Sequence, residues 1–236
     1  MNLERIREKL KGSVSPVALT GAGISAESGV PTFRGPGGLW KNFRAEDLAT
    51  PEAFEADPLR VWEWYDWRRG LISRIKPNPA HYALAELESK NPGLTVITQN
   101  VDGLHTLAGS RNVLEIHGSI WRVACTECKN SSENREVPIK ILPGCPCGGV
   151  LRPGVVWFGE ALPEDILNEA FEASGKADFM LVVGTSGVVQ PAASLAYRGK
   201  EAGAFMVEIN TGPSALSNIM DETVSGKAGE VLPGLL

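Results

Sequence analysis

The residues best suited to chemistry come in four groups. Cys125-x-x-Cys128 and Cys145-x-Cys147 are two close thiol pairs separated by a short loop, with glycines beside the second. That spacing suits four thiolates around one zinc ion. With every cysteine used and no histidine nearby, a closed structural site is expected. Gly21-Ala22-Gly23-Ile24-Ser25-Ala26 satisfies the G-x-G-x-x-G/A spacing, in which glycines let backbone approach a pyrophosphate at a helix N-terminus. A plain tight turn uses the same glycines, so the motif alone leaves both readings open. A common dehydrogenase carries an acidic residue about 20 positions further on. Here that distance falls in "RGPGGLWKNFRAEDL", with no strand before it.

The third group is Thr98-Gln99-Asn100-Val101-Asp102-Gly103-Leu104-His105, followed by His117-Gly118-Ser119. Asp102 can bind an amide group, and Asn100 can orient a ribose or a water. His117, at a strand end before glycine, is placed to act as a general base near neutral pH. The alternative, a structural hydrogen-bonding histidine, fits His81 and His105 better. The fourth group is the pair Tyr65 and Arg68 in "WYDWRRG". Residues at i and i+3 share a helix face. The pair is therefore either an ordinary amphipathic surface or a fork for a carboxylate.

These groups need elements to position them. Residues 17–20, 94–98, 179–183 and 204–209 are short apolar runs that read as buried parallel strands, with 113–116 as a fifth. Each ends in a polar or glycine-rich patch ("TGAGIS", "TQNVDG", "HGS", "GTSG", "NTG"), and open α/β sheets collect ligands at the carboxyl ends of their strands. The expected fold class is α/β: a Rossmann-like parallel sheet domain with a smaller inserted domain made of a helical module and a zinc-binding module. The sheet domain is discontinuous, comprising residues 1–30, 79–120 and 153–236. Residues 31–78 form the helical module and 121–152 the zinc-binding module. With 236 residues, 43% hydrophobic and 22% charged, the chain reads as soluble and globular. A net charge of −5 gives no basic footprint, so no nucleic-acid partner is expected. No apolar run is long enough for a signal peptide or a bilayer span, so no membrane partner is expected either. A cytoplasmic location with reduced cysteines follows.

Together these stretches resemble the sirtuins, the NAD-dependent protein deacylases. The resemblance rests on "GAGISAESGVPTFRGPGGLW", "TQNVDGLH", "IHGS", the four cysteines, "LRPGVVWFGE", "GTS" and "NTG", and it covers nearly the whole chain. It implies that NAD is consumed as a co-substrate, which accounts for the missing acidic residue, and that Cys125, Cys128, Cys145 and Cys147 hold one structural Zn2+. The second pair departs from the family's commoner C-x-x-C. By motif, the resemblance places Gly21, Ala22, Gly23, Ser25, Ala26, Thr32, Phe33, Arg34 and Trp40 on the NAD site. Gln99, Asn100, Val101 and Asp102 would hold the ribose and nicotinamide. Gly184, Thr185, Ser186, Asn210, Thr211, Gly212 and Ala228 would hold the adenosine half. Val155, Trp157, Phe158, Gly159 and Glu160 resemble a strand-like segment that binds an acyl-lysine peptide by backbone pairing.

The implied reaction begins when the acyl-lysine amide oxygen attacks the anomeric carbon of the nicotinamide ribose as nicotinamide leaves. His117 then acts as the catalytic base, with Asn100 beside it, and the products are free lysine and an O-acyl-ADP-ribose. Tyr65-x-x-Arg68 resembles the pair that marks class III sirtuins, which remove succinyl and malonyl groups, and Ala49 resembles a small residue of that class. The partners implied are acylated-lysine proteins or peptides. Two enzymatic alternatives stay open: a deacetylase with weak acidic-acyl activity, and mono-ADP-ribosyl transfer as a side activity. An intact His117 argues against a non-catalytic reader, and the acidic balance against a zinc-ribbon nucleic-acid binder.

Overall fold

In strand β1 (Pro16–Thr20) every residue is buried, as continuous apolar strands covered on both faces require. The computed structural model describes residues 3–33, 38 and 44–236. Helix α1 (Leu3–Lys11) precedes β1, and the five-residue α2 (Ala22–Ala26) follows it. Three helices come next: α3 (Pro51–Ala56), α4 (Pro58–Ile72) and α5 (Pro79–Lys90). Each has proline in its first turn and an N-cap side chain, Thr50, Asp57 and Asn78 in turn, accepting from a backbone N–H. Such caps satisfy donors that the first turn leaves open.

The chain continues through β2 (Thr95–Thr98), α6 (Leu104–Ala108), β3 (Val113–Glu115), β4 (Gly118–Cys125), β5 (Ser131–Glu133) and β6 (Leu151–Val155). It ends with α7 (Glu164–Lys176), β7 (Phe179–Val183), α8 (Ala192–Glu201), β8 (Phe205–Asn210), β9 (Glu222–Ser225) and α9 (Ala228–Val231). Six strands form one parallel sheet in the order β3-β2-β1-β7-β8-β9. The order reverses between β1 and β7, so the chain leaves both strands on the same edge and a crevice opens there. Ile6, Leu84, Val96, Leu181 and Val207 belong to the core on one face, and Leu19, Ile97, Met180, Leu195 and Met206 to the core on the other.

This is the α/β fold with a Rossmann-like sheet that the apolar runs imply. The five expected strands are present within a residue or two at their ends. β9 escaped the sequence reading because "ETVS" carries a single large apolar residue and lies at the sheet edge. The second sheet, β5-β4-β6, is antiparallel and carries the cysteines. It packs with α3 and α4 around a third core that includes Phe54, Trp62, Trp64, Tyr65, Ile120, Trp121 and Trp157. The boundaries placed at 120/121 and 152/153 fall inside β4 and β6. Gly118 pairs with Val155, so both strands begin or end beside the larger sheet and carry no break in composition there.

The two halves of the crevice touch through glycine. A Cβ on Gly23 would lie 2.7 Å from both Cα and O of Gly184, and Gly184 itself has φ +59. Gly23→Ala should therefore cost about 1–3 kcal/mol through overpacking. Gly70, inside α4, has open space around it. Gly70→Ala should stabilise by roughly 0.5–1 kcal/mol. Thermal unfolding followed by circular dichroism checks the pair, and a Gly23→Ala melt equal to that of the unmodified protein would refute the contact.

Candidate active site

A cleft of about 930 Å³ opens where the sheet order reverses, and both strand-end loops and the β6–α7 loop line it. The glycine loop after β1 supplies Gly21, Ala22, Gly23 and Ala26, and Thr32 and Phe33 follow. The backbone N–H groups of Gly21 and Gly23 donate to Val183 O (3.0 Å) and Gly184 O (2.8 Å). These glycines thus serve close packing against the β7 loop, and they also line the cleft. Gln99, Asn100 and Val101 line the cleft from β2, with Gly184, Thr185 and Ser186 after β7. Asn210, Thr211 and Gly212 stand after β8, and Ala228 opens α9.

Side-chain hydrogen bonds hold these loops in register. Gln99 Nε2 donates to Thr185 Oγ1 (3.0 Å) and Asn210 Nδ2 to Thr185 O (2.9 Å), linking three strand ends. Asn100 Nδ2 donates to Gly21 O and to Ser25 Oγ, each at 3.1 Å. Ser25 and Asp102 do not line the cleft. Ser25 is fully buried behind it, and the Asp102 carboxylate accepts from Leu104 N (2.9 Å). Burial raises the Asp102 pKa, opposed by its hydrogen bonds and by the charge of Arg68. Arg34 and Trp40 lie outside the described residues.

Of the three histidines, only His117 lines the cleft. Its Nδ1 lies 3.0 Å from Gln99 O, and a carbonyl can only accept, so Nδ1 carries the proton. Nε2 is then the free lone pair of the neutral ring. Burial lowers the His117 pKa, with the Gln99 bond pulling the other way, so the neutral form prevails at neutral pH. His81 and His105 are structural, as expected. They lie ring to ring at 4.9 Å beneath α2, with His81 Nε2 3.3 Å from Ser25 Oγ and His105 Nε2 3.0 Å from Thr20 Oγ1. Burial depresses them to about 4 and about 3.

The far end of the cleft is formed by Ala49, Trp64, Tyr65, Arg68, Val155, Trp157 and Phe158. Tyr65 and Arg68 share one face of α4, as their spacing predicts, and both are buried, at 2% and 6% exposure. The Arg68 guanidinium lies over the rings of Trp64 (4.8 Å), Phe33 (5.0 Å) and Tyr65 (5.9 Å). Among the described residues it has no hydrogen bond and no ion pair. Burial lowers its pKa, and Tyr65 and Asp102 oppose that. Arg69, by contrast, donates to Ile120 O, Asn134 O, Asn134 Oδ1 and Glu136 O and is 1% exposed. Its role is to tie α4 to the second sheet.

The segment after β6 is not a strand. Residues 156–160 form an irregular loop. Val156 N donates to His117 O, Trp157 N to Glu160 Oε2, Phe158 N to Ala49 O and Glu160 N to Trp157 O. Among the described residues, the Gly159 N–H takes part in none of these bonds. Trp157, expected in the peptide-binding segment, lines the cleft too; Trp64, Gln190 and Lys227 also line it and carried no signal in the sequence that marked them as site residues.

The cysteines converge outside the cleft. Their four Sγ atoms lie within 4.8 Å of one another, with Cys125–Cys147 at 3.4 Å and Cys128–Cys145 at 3.8 Å. Zinc–thiolate bonds of about 2.3 Å in a tetrahedron put sulfurs about 3.8 Å apart, so the shortened C-x-C pair still fits the ion. A Cβ on Gly149 would meet Cys125 Sγ at 2.8 Å, so the cradle needs glycine there.

Comparison with known proteins gives this architecture its relatives. Residues 21–191 match the Sir2 family. The NAD-dependent protein deacylase of Pyrococcus furiosus is 57% identical over 99% of this chain and 96% of its own, and NAD-dependent protein deacylase 2 of Pyrobaculum aerophilum is 55% identical over 98% and 93%. A Sir2 homologue solved as an NAD complex superposes with a TM-score of 0.93 at 52% identity, over 98% of this chain and 91% of the other. A Sir2 protein solved with a deacetylated p53 peptide and an acetyl ADP-ribose gives 0.90 at 34% identity, over 100% and 97%. Likeness that runs from end to end of the sequence, and through the fold that carries the cleft, establishes descent: the chain belongs to the Sir2 family.

Proposed function

We propose that this protein is an NAD-dependent lysine deacylase that prefers acidic acyl groups, succinyl and malonyl, and also accepts acetyl. The observation that carries the preference is Arg68. A buried guanidinium with no acceptor among the described residues is costly, and at the far end of a ligand-sized cleft it is offset when a substrate supplies a carboxylate. Tyr65 adds a second donor beside it, and the small Ala49 side chain leaves room for the acyl chain. NAD, when bound, supplies an electrophilic anomeric carbon bearing a good leaving group. Gly21, Gly184, Thr185 and Asn210 border the part of the cleft at the strand ends that fits its adenosine half. Asn100 and Gln99 border the part beside His117. The family's solved NAD complex and the names of its relatives support this assignment.

In this reading His117 Nε2 takes a proton from a ribose hydroxyl, with Gln99 O holding the imidazole tautomer through Nδ1. A depressed pKa keeps the base neutral across the working range. The helical module and the zinc-binding module act as one small domain that closes the acyl end of the cleft. The zinc ion is structural, a cross-link between the β4–β5 turn and the loop before β6. The action belongs in the cytoplasm, where the four thiols stay reduced.

Arg68→Met should lower kcat/KM on a succinylated peptide by about 10- to 150-fold, the worth of one charge-assisted hydrogen bond, and change acetyl removal little. Equal losses on both would make the arginine structural. His117→Tyr should abolish peptide-dependent nicotinamide release with the melting temperature preserved. Because the folded His117 pKa is depressed, the acid limb of the unmodified enzyme's profile should lie below the ordinary histidine value of about 6.5. A limb above that value would refute the base assignment. Metal analysis should find one zinc per chain, and its removal by a chelator should unfold the β4–β6 module, seen as a change in tryptophan fluorescence.

A further inference from the structure

The Tyr65 hydroxyl is not free to choose its role. Trp157 Nε1 lies 2.9 Å from Tyr65 Oη, and both side chains are buried. An indole N–H can only donate, so Tyr65 Oη is the acceptor of that bond and its own proton must point away from Trp157. No other partner holds the hydroxyl among the described residues, and Tyr65 lines the cleft. Burial raises the phenol's pKa above its ordinary value, so the proton is present at every working pH.

The indole is itself clamped. The Arg152 guanidinium stacks on the Trp157 ring at 3.5 Å, and Arg152 is paired with Glu160 through Nη1–Oε1 (2.5 Å) and Nη2–Oε2 (2.9 Å). Glu160 Oε2 also accepts from Trp157 N (2.8 Å), which closes the ring of contacts. The Phe54 ring, 5.4 Å away, packs against the indole as well. A side chain held at its backbone, over its face and at its N–H cannot turn the bond round.

We infer that Trp157 is a positioning residue that fixes Tyr65 as an obligate hydrogen-bond donor, and that the Trp157–Tyr65–Arg68 set thereby selects an acyl terminus that only accepts, a carboxylate over its isosteric carboxamide. Tyr65 and Arg68 then present donors alone. A carboxylate has two oxygens to receive them. A carboxamide must turn its NH2 toward one of the two donors, and a hydroxyl locked as donor cannot relieve the clash by accepting.

This inference rests on the acidic-acyl reading above, and two peptides separate the fates of the two. The test compares kcat/KM on one peptide carrying succinyl-lysine and on the same peptide carrying the terminal amide, succinamyl-lysine. Trp157→Phe removes the indole N–H and keeps an aromatic ring, so the Tyr65 hydroxyl becomes free to rotate and accept. The acid-over-amide ratio should fall by about 3- to 10-fold, the range expected for a single neutral hydrogen bond. In a Tyr65→Phe background the same substitution should leave the ratio where Tyr65→Phe alone puts it. Arg152→Met, which unclamps the indole without removing it, should move the ratio in the same direction by a smaller factor, and this stands in if Trp157→Phe does not fold. An unchanged ratio in folded Trp157→Phe, or equal falls with and without Tyr65, overturns the inference. It leaves the acidic-acyl reading intact provided Arg68→Met still lowers succinyl removal selectively. Loss of that selectivity effect as well overturns both.

Discussion

The contact on which the cleft depends is between two glycine loops. Gly23 and Gly184 stand so close that neither tolerates a Cβ, and Gly21 and Gly23 bond directly to the end of β7. That contact fixes the distance between β1 and β7, the two strands at which the sheet order reverses. Everything placed on the adjoining loops inherits the register. Thr185 is held from two sides by Gln99 and Asn210, and Asn100 reaches back to Gly21 O. A glycine loop is usually discussed for what it lets a ligand approach. Here the same residues first let the protein approach itself, and the cavity is what remains between the loops.

Around that frame the polar groups are sorted by the direction of their bonds. His117 donates through Nδ1 to a carbonyl and so offers a lone pair to the cleft. Tyr65 accepts from an indole and so offers a proton. Arg68 offers only protons, over three aromatic rings. One end of the cleft is therefore suited to removing a proton and the other to binding an anion. Neither property belongs to a residue type alone, since a histidine has two tautomers and a phenol can donate or accept.

The second sheet and α4 serve this arrangement at a distance. Arg69, one residue from Arg68, spends its guanidinium on three backbone carbonyls and the Asn134 side chain, which locks α4 against the β4–β5 region. The cysteine cluster at the tip of that sheet ties β4 to the loop preceding β6. β6 then leads directly into the loop holding Trp157 and Glu160. A cysteine cluster that fits zinc and the Arg68 end of the cleft are thus joined by one short strand.

Much of this was legible in the amino-acid sequence because it depends on local rules. Continuous apolar runs ending in glycine or polar patches announce buried parallel strands, since only a strand covered on both faces can afford no polar side. Two thiol pairs at short spacing announce a zinc site, and Tyr65 and Arg68 share a helix face by the geometry of 3.6 residues per turn. The sequence motifs also carried the family. What only the tertiary structure decided concerns groups far apart in the chain. That Arg68 is stacked without an acceptor among the described residues, while the two Nη atoms of Arg69 donate to Ile120, Asn134 and Glu136, depends on which distant residues pack against α4. That Trp157 sets the polarity of Tyr65 depends on a bond spanning 92 positions. The edge strand β9, the irregular loop after β6 and the withdrawal of Ser25 and Asp102 behind the cleft wall follow the same rule. Local periodicity sets which face a side chain occupies, but its hydrogen-bond partners and burial are set by whichever distant segment packs against that face.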